Sequence, residues 1–287
     1  MSEKAPAWVP PVMRTGYFAR AAVYVVVGGL ALMAALKGGQ AQGTTDALAD
    51  LRGQAWGVAA LWAIAVGLWA YLAWRLVDAW LDLEDYGTDA KGMIARAGLV
   101  ITGLIHGAIG VSVAATAMGG GSGGEGGGTQ SMTQKLMSMP FGPWLVGVVG
   151  IATLGAGIYY MHKGWAEKYK EHIRVTPTAR KLDPVCKFGC IAQGVVISLI
   201  GVSIIFAAMT ANPNEAGGVG EALHQLRSMA YGRILLGIVA LGLLAFAVEN
   251  AVEGWYRVLP RYEGKDVMTL ARRAKLKAEG KLNEATA

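Results

Sequence analysis

A chain of 287 residues that is 54% hydrophobic and only 16% charged does not have the composition of a soluble domain. Its 26 Lys and Arg outnumber 20 Asp and Glu, giving a formal net charge of +6. No basic stripe interleaved with aromatic residues stands in a polar segment, which argues against a nucleic-acid partner and leaves membrane orientation as the reason for the charge.

Residues 1–13 are expected to form a short N-terminal cytoplasmic segment. Beyond them lie six apolar runs, near 17–36, 55–77, 93–117, 143–162, 187–210 and 230–251. Each is long enough to cross a hydrocarbon layer of about 30 Å as helix. The first run resembles a signal peptide, following Arg14 and Arg20 and ending in LMAAL. It is expected to be retained, because it is the first copy of an internal repeat. Written without gaps, segments starting at Arg14, Arg96 and Lys187 bring together Gly16, Gly98 and Gly189, and then Gly28, Gly110 and Gly201. The even-numbered runs align as well: Trp56, Phe141 and Tyr231 each precede a glycine (Gly57, Gly142, Gly232), and each copy closes on Trp80, Trp165 or Trp255.

The opening aromatic and the closing tryptophan are 24 positions apart in every copy. At a helical rise of about 1.5 Å per residue this spans about 36 Å, which predicts one aromatic anchor in each interfacial belt. The closing motifs VDAW, HKGW and VEGW place a charge, a small residue and then the tryptophan. The charge is expected to stay in water, and the small residue to let a neighbouring chain pass closely. The repeated glycines predict close helix packing, as do Gly103 with Gly107 and Gly194 with Ser198.

The fold predicted is an all-α integral membrane protein of six transmembrane helices, built as three tandem helical hairpins with pseudo-threefold symmetry about the membrane normal. The units are 14–86, 93–170 and 184–258, followed by a basic tail at 260–287. Between odd and even spans, Leu48 with Leu51 and Leu223 with Leu226 predict short amphipathic helices on the membrane face. The glycine-rich stretch Gly119 to Gly128 lacks the lysine and hydroxyl residue of a phosphate loop and reads as a flexible linker. By side, 21 Lys and Arg fall with both termini and five on the opposite face, which predicts cytoplasmic termini. The tail reads as a basic amphipathic helix for anionic lipid.

With RTGYFAR, the glycine at Gly28 and the aromatic–Gly entries such as PFGPW, the three paired spans resemble the domain of unknown function 1206 family over nearly all of residues 14–257. The resemblance implies a bacterial integral membrane protein of three two-helix units, expected in the inner membrane, and it supplies no activity, cofactor or catalytic residue. Thr102 and Gln193 replace Arg20 in the second and third copies, so any role of that arginine belongs to one unit.

Ionisable residues inside spans are the pointers that remain. His106 lies mid-span, where its repeat equivalents are Tyr24 and Ile197, and reads as a hydrogen-bonded interior histidine. Glu249 and Asn250 lie at the level of Arg75, and Glu249 with Arg75 reads as a structural ion pair or, in a transporter, a gate. Cys186 and Cys190 read as small residues near a helix start, with no further ligand near enough in sequence for a metal site. The acidic stretch Asp82 to Asp89 is expected to pair with the basic loop His162 to Lys187. No catalytic grouping can be assembled. The functional expectation is a non-enzymatic accessory or stabilising subunit that packs against another membrane protein or complex in the bilayer; the alternative is a small-solute or ion transporter using the repeat interface.

Overall fold

The computed structural model describes residues 6–38, 42–120, 125–260 and 267–279. Six helices are long and apolar enough to cross a membrane: α1 (Val9–Lys37), α3 (Gly57–Leu81), α4 (Ala90–Ala117), α6 (Gly142–Trp165), α7 (Pro177–Thr210) and α9 (Gly232–Tyr256). Short helices α2 (Thr44–Ala49), α5 (Glu125–Met137) and α8 (Val219–Ser228) join the spans of each unit, and α10 (Leu270–Ala278) lies in the tail.

Local chemistry starts these helices where the hydropathy asks for them. Asp89, Thr176 and Thr269 cap α4, α7 and α10, each accepting a hydrogen bond from the backbone N–H three residues on. Prolines occupy the first turns of α1, α6 and α7, where no donor is lost. The even spans begin on the aromatic–Gly pair for a steric reason. A Cβ on Gly57, Gly142 or Gly232 would collide with the carbonyl of Leu51, Met137 or Arg227, because the chain folds back on its own preceding turn. Phe141 and Tyr231 hold that turn in the left-handed region, at φ 60° and 59°.

Packing runs α4, α3, α1, α9, α7, α6 across the bundle, each helix against the next. The first and last spans are therefore neighbours at its centre. A closed ring of six would also require α4 against α6, the two spans of the second unit, and these share no packing of the kind that joins the other neighbours. The bundle is an open arc with a seam at that place.

At the aromatic–Gly end the arc is filled by an apolar core that includes Val23, Val27, Leu61, Leu68, Leu236 and Leu243. The joining helices α2 and α8 close it through Leu48 and Leu223, both fully buried. The tryptophan end is different. Tyr169, Ile173, Cys186, Phe246 and Leu270 form a second cluster there, and α10 docks by its first turn, the Leu270 N–H donating to the Ile173 carbonyl at 2.9 Å. The glycine-rich stretch is not linker throughout: residues 121–124 lie outside the described residues, and α5 begins at Glu125.

Glycine sets the helix spacing. A Cβ on Gly16 would sit 2.5 Å from the Tyr71 Cα, and one on Gly189 would strike the Phe246 backbone. Gly98, at the same repeat position, has nothing within 4 Å. Gly16→Ala and Gly189→Ala are therefore each expected to cost about 1–3 kcal/mol through overpacking. Gly98→Ala should leave the thermal midpoint in detergent unchanged or slightly raised; equal loss at all three positions would refute this account of the packing.

Candidate functional site

Two features of the bundle have no counterpart in ordinary packing: the α4–α6 seam, and a ladder of buried charge that runs through the tryptophan end.

The seam is visible at a set of repeated positions that the other two units bury. Ala19 and Ala192 pack beneath Gly67 and Gly242, whereas their equivalents Ile101 and Ala152 are exposed. Val23 and Val196 are buried and Ile105 is not; Ile64 and Val239 are buried and Val149 is not. Sequence explains the difference. A helix pair that meets through glycine and alanine comes close, and replacing that pair by alanine and isoleucine adds volume where the helix axes must approach.

The ladder begins where the closing motifs put a charge before the tryptophan. Asp78 and Glu253 are 0% and 2% exposed, and Lys163 is partly buried. These three occupy one repeat position, and they point into the bundle, not into water as the sequence suggested. The reason is that each finds a partner inside. Lys163 Nζ lies 3.1 Å from Glu249 and 3.5 Å from Glu253. Glu253 also accepts from Arg257, which holds Glu84 at 2.5 Å. Arg75 reaches Asp78 at 3.5 Å and Glu84 at 3.9 Å, and donates to the Tyr17 and Tyr71 hydroxyls at 3.0 and 2.8 Å. Cys190 Sγ donates to Glu249 at 3.6 Å.

Glu84 joins the network from the loop before α4. Burial alone would raise its carboxyl, but Arg257, His172 and Arg75 beside it outweigh burial and hold it well below the usual carboxylate range. His172 is pushed down to about 4, chiefly by burial, with the Glu84 charge opposing.

At the deep end stands Arg20, 4% exposed. Its Nη1 donates to the Tyr71 hydroxyl at 2.8 Å, while its Nε has no partner. Among the described residues no carboxylate lies within ion-pair distance of it. Its charge instead faces three rings, Tyr71 at 4.7 Å, Phe246 at 5.7 Å and Tyr24 at 5.9 Å. Gln193 donates to Tyr24, and the Gln193 and Asn250 carbonyl oxygens are, like the Arg20 Nε, buried without a partner.

The same threefold spacing that builds the ladder decides what the chain is. The family described as Domain of Unknown Function (DUF1206) matches it at residues 15–82, 97–167 and 188–257. The chain belongs to the DUF1206 family. It is 28% identical over 261 residues to the uncharacterized protein YxxB of Bacillus subtilis (strain 168), covering 90% of this chain and 94% of that relative. No solved structure matches.

Within this DUF1206 chain the residues singled out from sequence are scattered over both features. Glu249 pairs with Lys163 and not with Arg75; the two are joined only through Glu253, Arg257 and Glu84. Asn250 turns its amide to the Phe246 carbonyl at 2.8 Å. His106 lies with Nδ1 2.8 Å from the Thr102 carbonyl, which can only accept, and its ring 4.9 Å from that of Tyr71. Trp80, Trp165, Trp255, Trp56, Phe141 and Tyr231 are all at least 60% exposed, so each is open to the surroundings at a helix end. Gly28, Gly110 and Gly201 face Leu244, Trp69 and Leu154 closely. The basic residue opening each odd span meets the tryptophan end of its packing partner: Arg14 over Trp255, Arg96 on the Trp80 carbonyl, Lys187 over Trp165. Arg20, Glu84, Arg257 and Lys163 were not singled out as site residues, although Arg20 carried a signal in being replaced by Thr102 and Gln193. Among the described residues no group of three or more His, Cys, Asp or Glu is placed to hold a metal ion.

Protonation gives a test of the ladder. His172 binds its proton near pH 6.5 in the unfolded chain but only near 4 in the folded one. The unfolded state therefore holds more protons between those values, and stability should fall as pH drops from about 6.5 to about 4. His172→Gln should flatten that segment of a stability–pH curve measured in detergent. An unchanged slope would show that His172 is not buried neutral.

Proposed function

We propose that this DUF1206 chain is a non-enzymatic protein of the bacterial inner membrane, with both termini cytoplasmic, that acts by receiving another membrane component in the α4–α6 seam. The observation that carries the reading is Gly98. Two of the three repeated glycines seat a helix backbone, and the third is exposed along a face whose equivalents are all covered. Ile101, Ile105, Val149 and Ala156 present an apolar wall on either side of it. Two further arguments support the reading. The ladder is satisfied largely within the chain, so it reads as the structure that holds six helices in register and not as a reaction centre. The excess of Lys and Arg at the tryptophan end supports the orientation, and the basic tail helix supports contact with anionic lipid.

A transporter is the second reading, favoured by the continuity of the ladder from Tyr71 and Arg75 to the loop residues Glu84 and His172. It requires a path through the apolar core at the aromatic–Gly end, which α2 and α8 close. Glu249→Gln separates the two, read on protein that still folds: it should abolish a proteoliposome flux in a transporter, whereas in the docking reading it should lower the thermal midpoint, because Lys163 loses one of its two carboxylates, and leave seam docking intact.

Docking itself is tested by a photoreactive residue at Gly98 or Ile105, with Leu241, exposed on α9, as the control. In native membrane the seam positions should give one discrete adduct and the control a diffuse set. The same diffuse set at all three positions would overturn the proposal.

A further inference from the structure

Around Arg20 the repeat supplies a ring from two units and none from the third. Tyr71 and Phe246 occupy the same position of the first and third even spans, and both rings face its guanidinium. The residue at that position of the second unit is Ala156, which is exposed in the seam. By the repeat, one wall of an aromatic box is thus a methyl group, at the level of a buried cation that has an unpartnered Nε and, among the described residues, no carboxylate within ion-pair distance. His106 and Tyr160 flank it, half-buried, the first against Tyr71 and the second 5.9 Å from Phe246.

We propose that the seam binds a single-chain anionic amphiphile, a free long-chain fatty acid, with its carboxylate beside Arg20 at Ala156 and its acyl chain lying between α4 and α6. The proposal rests on the seam as the docking place and names its occupant.

Charge, depth and length each argue for this ligand. An arginine inside a membrane span is costly without an anion, and aromatic faces compensate it only in part. Tyr71 stands nine residues inside Trp80, so the Arg20 level is about 13 Å below the tryptophan belt. A phospholipid phosphate, tied through glycerol to two chains and held at the headgroup layer, does not descend that far through a gap one ring wide. A lone carboxylate does, and it offers a planar partner suited to guanidinium. From that level to the Trp56 belt is 15 residues, about 22 Å, the reach of an extended long acyl chain. Along it the seam offers Ile101, Ile105, Val149 and Ala152.

The test is equilibrium binding of radiolabelled oleate to the purified full chain in detergent, with methyl oleate and phosphatidylglycerol as competitors. Oleate should bind saturably at one per chain, methyl oleate at least tenfold more weakly, and phosphatidylglycerol should not displace it. Ala156→Phe restores the third ring on an exposed position and should lower oleate affinity at least tenfold while the thermal midpoint holds; Arg20→Gln should do the same where it folds. Val25→Phe, on the exposed face of α1, should change nothing. Full oleate binding by Ala156→Phe, equal binding of the methyl ester, or displacement by phosphatidylglycerol would each overturn the fatty-acid site. If oleate fails while the photoreactive residue at Gly98 still gives a discrete adduct, the docking reading survives and its occupant is another component; if both fail, both fall.

Discussion

Backbone contact through glycine is the constraint from which the rest of the bundle follows. In a bilayer the hydrophobic effect does not drive helices together, so their association depends on how closely the backbones approach. Gly16 under Tyr71 and Gly189 under Phe246 bring α1 to α3 and α7 to α9 at the minimum separation. Gly157, Gly194 and Gly201 do the same for α6 and α7, and Gly103 with Gly107 for α3 and α4. That closeness turns the even-span charges inward and lets residues from separate units share carboxylates. Without it Asp78, Lys163 and Glu253, each beside an interfacial tryptophan, would turn to water and the ladder would not form.

The ladder also has a logic of exchange. Breaking one partner of a buried pair leaves the other uncompensated, and costs more than replacing the whole pair with apolar groups. Lys163 belongs to the second unit, Glu249, Glu253 and Arg257 to the third, and Glu84 to the end of the first. Each unit thus depends on a charge supplied by another. The network fixes the register of one span against the next more strictly than apolar surfaces of Leu and Val can do alone.

Much of this was legible in the sequence. Six spans, their repeat and their aromatic–Gly entries could be read because length, hydropathy and glycine spacing are properties of a single helix. Neighbour relations were not, since a repeat unit does not say whether its two spans pack on each other or on the adjoining unit. The inward turn of Asp78, Lys163 and Glu253 was hidden for a related reason: a charge two residues before a helix-ending tryptophan suits water equally well until a partner such as Arg257 is known to approach. Gly98 concealed the seam by matching its equivalents. Ile101 in place of alanine, Ala152 in place of glycine, and Ala156 in place of tyrosine and phenylalanine wrote the difference into the chain.

The central pairing of α1 with α9 has a consequence for how the protein is made. Span α1 finds its principal neighbour, α9, only when about 200 further residues have been synthesised. Through that interval α1 resides in the bilayer carrying Arg20, with Phe246 not yet translated. Contacts so distant in sequence form slowly, and intermediates with exposed interfaces are prone to wrong association. In that interval α3 and its Tyr71 can already receive Arg20, so the face of α1 left bare to lipid is the one that α9 will cover.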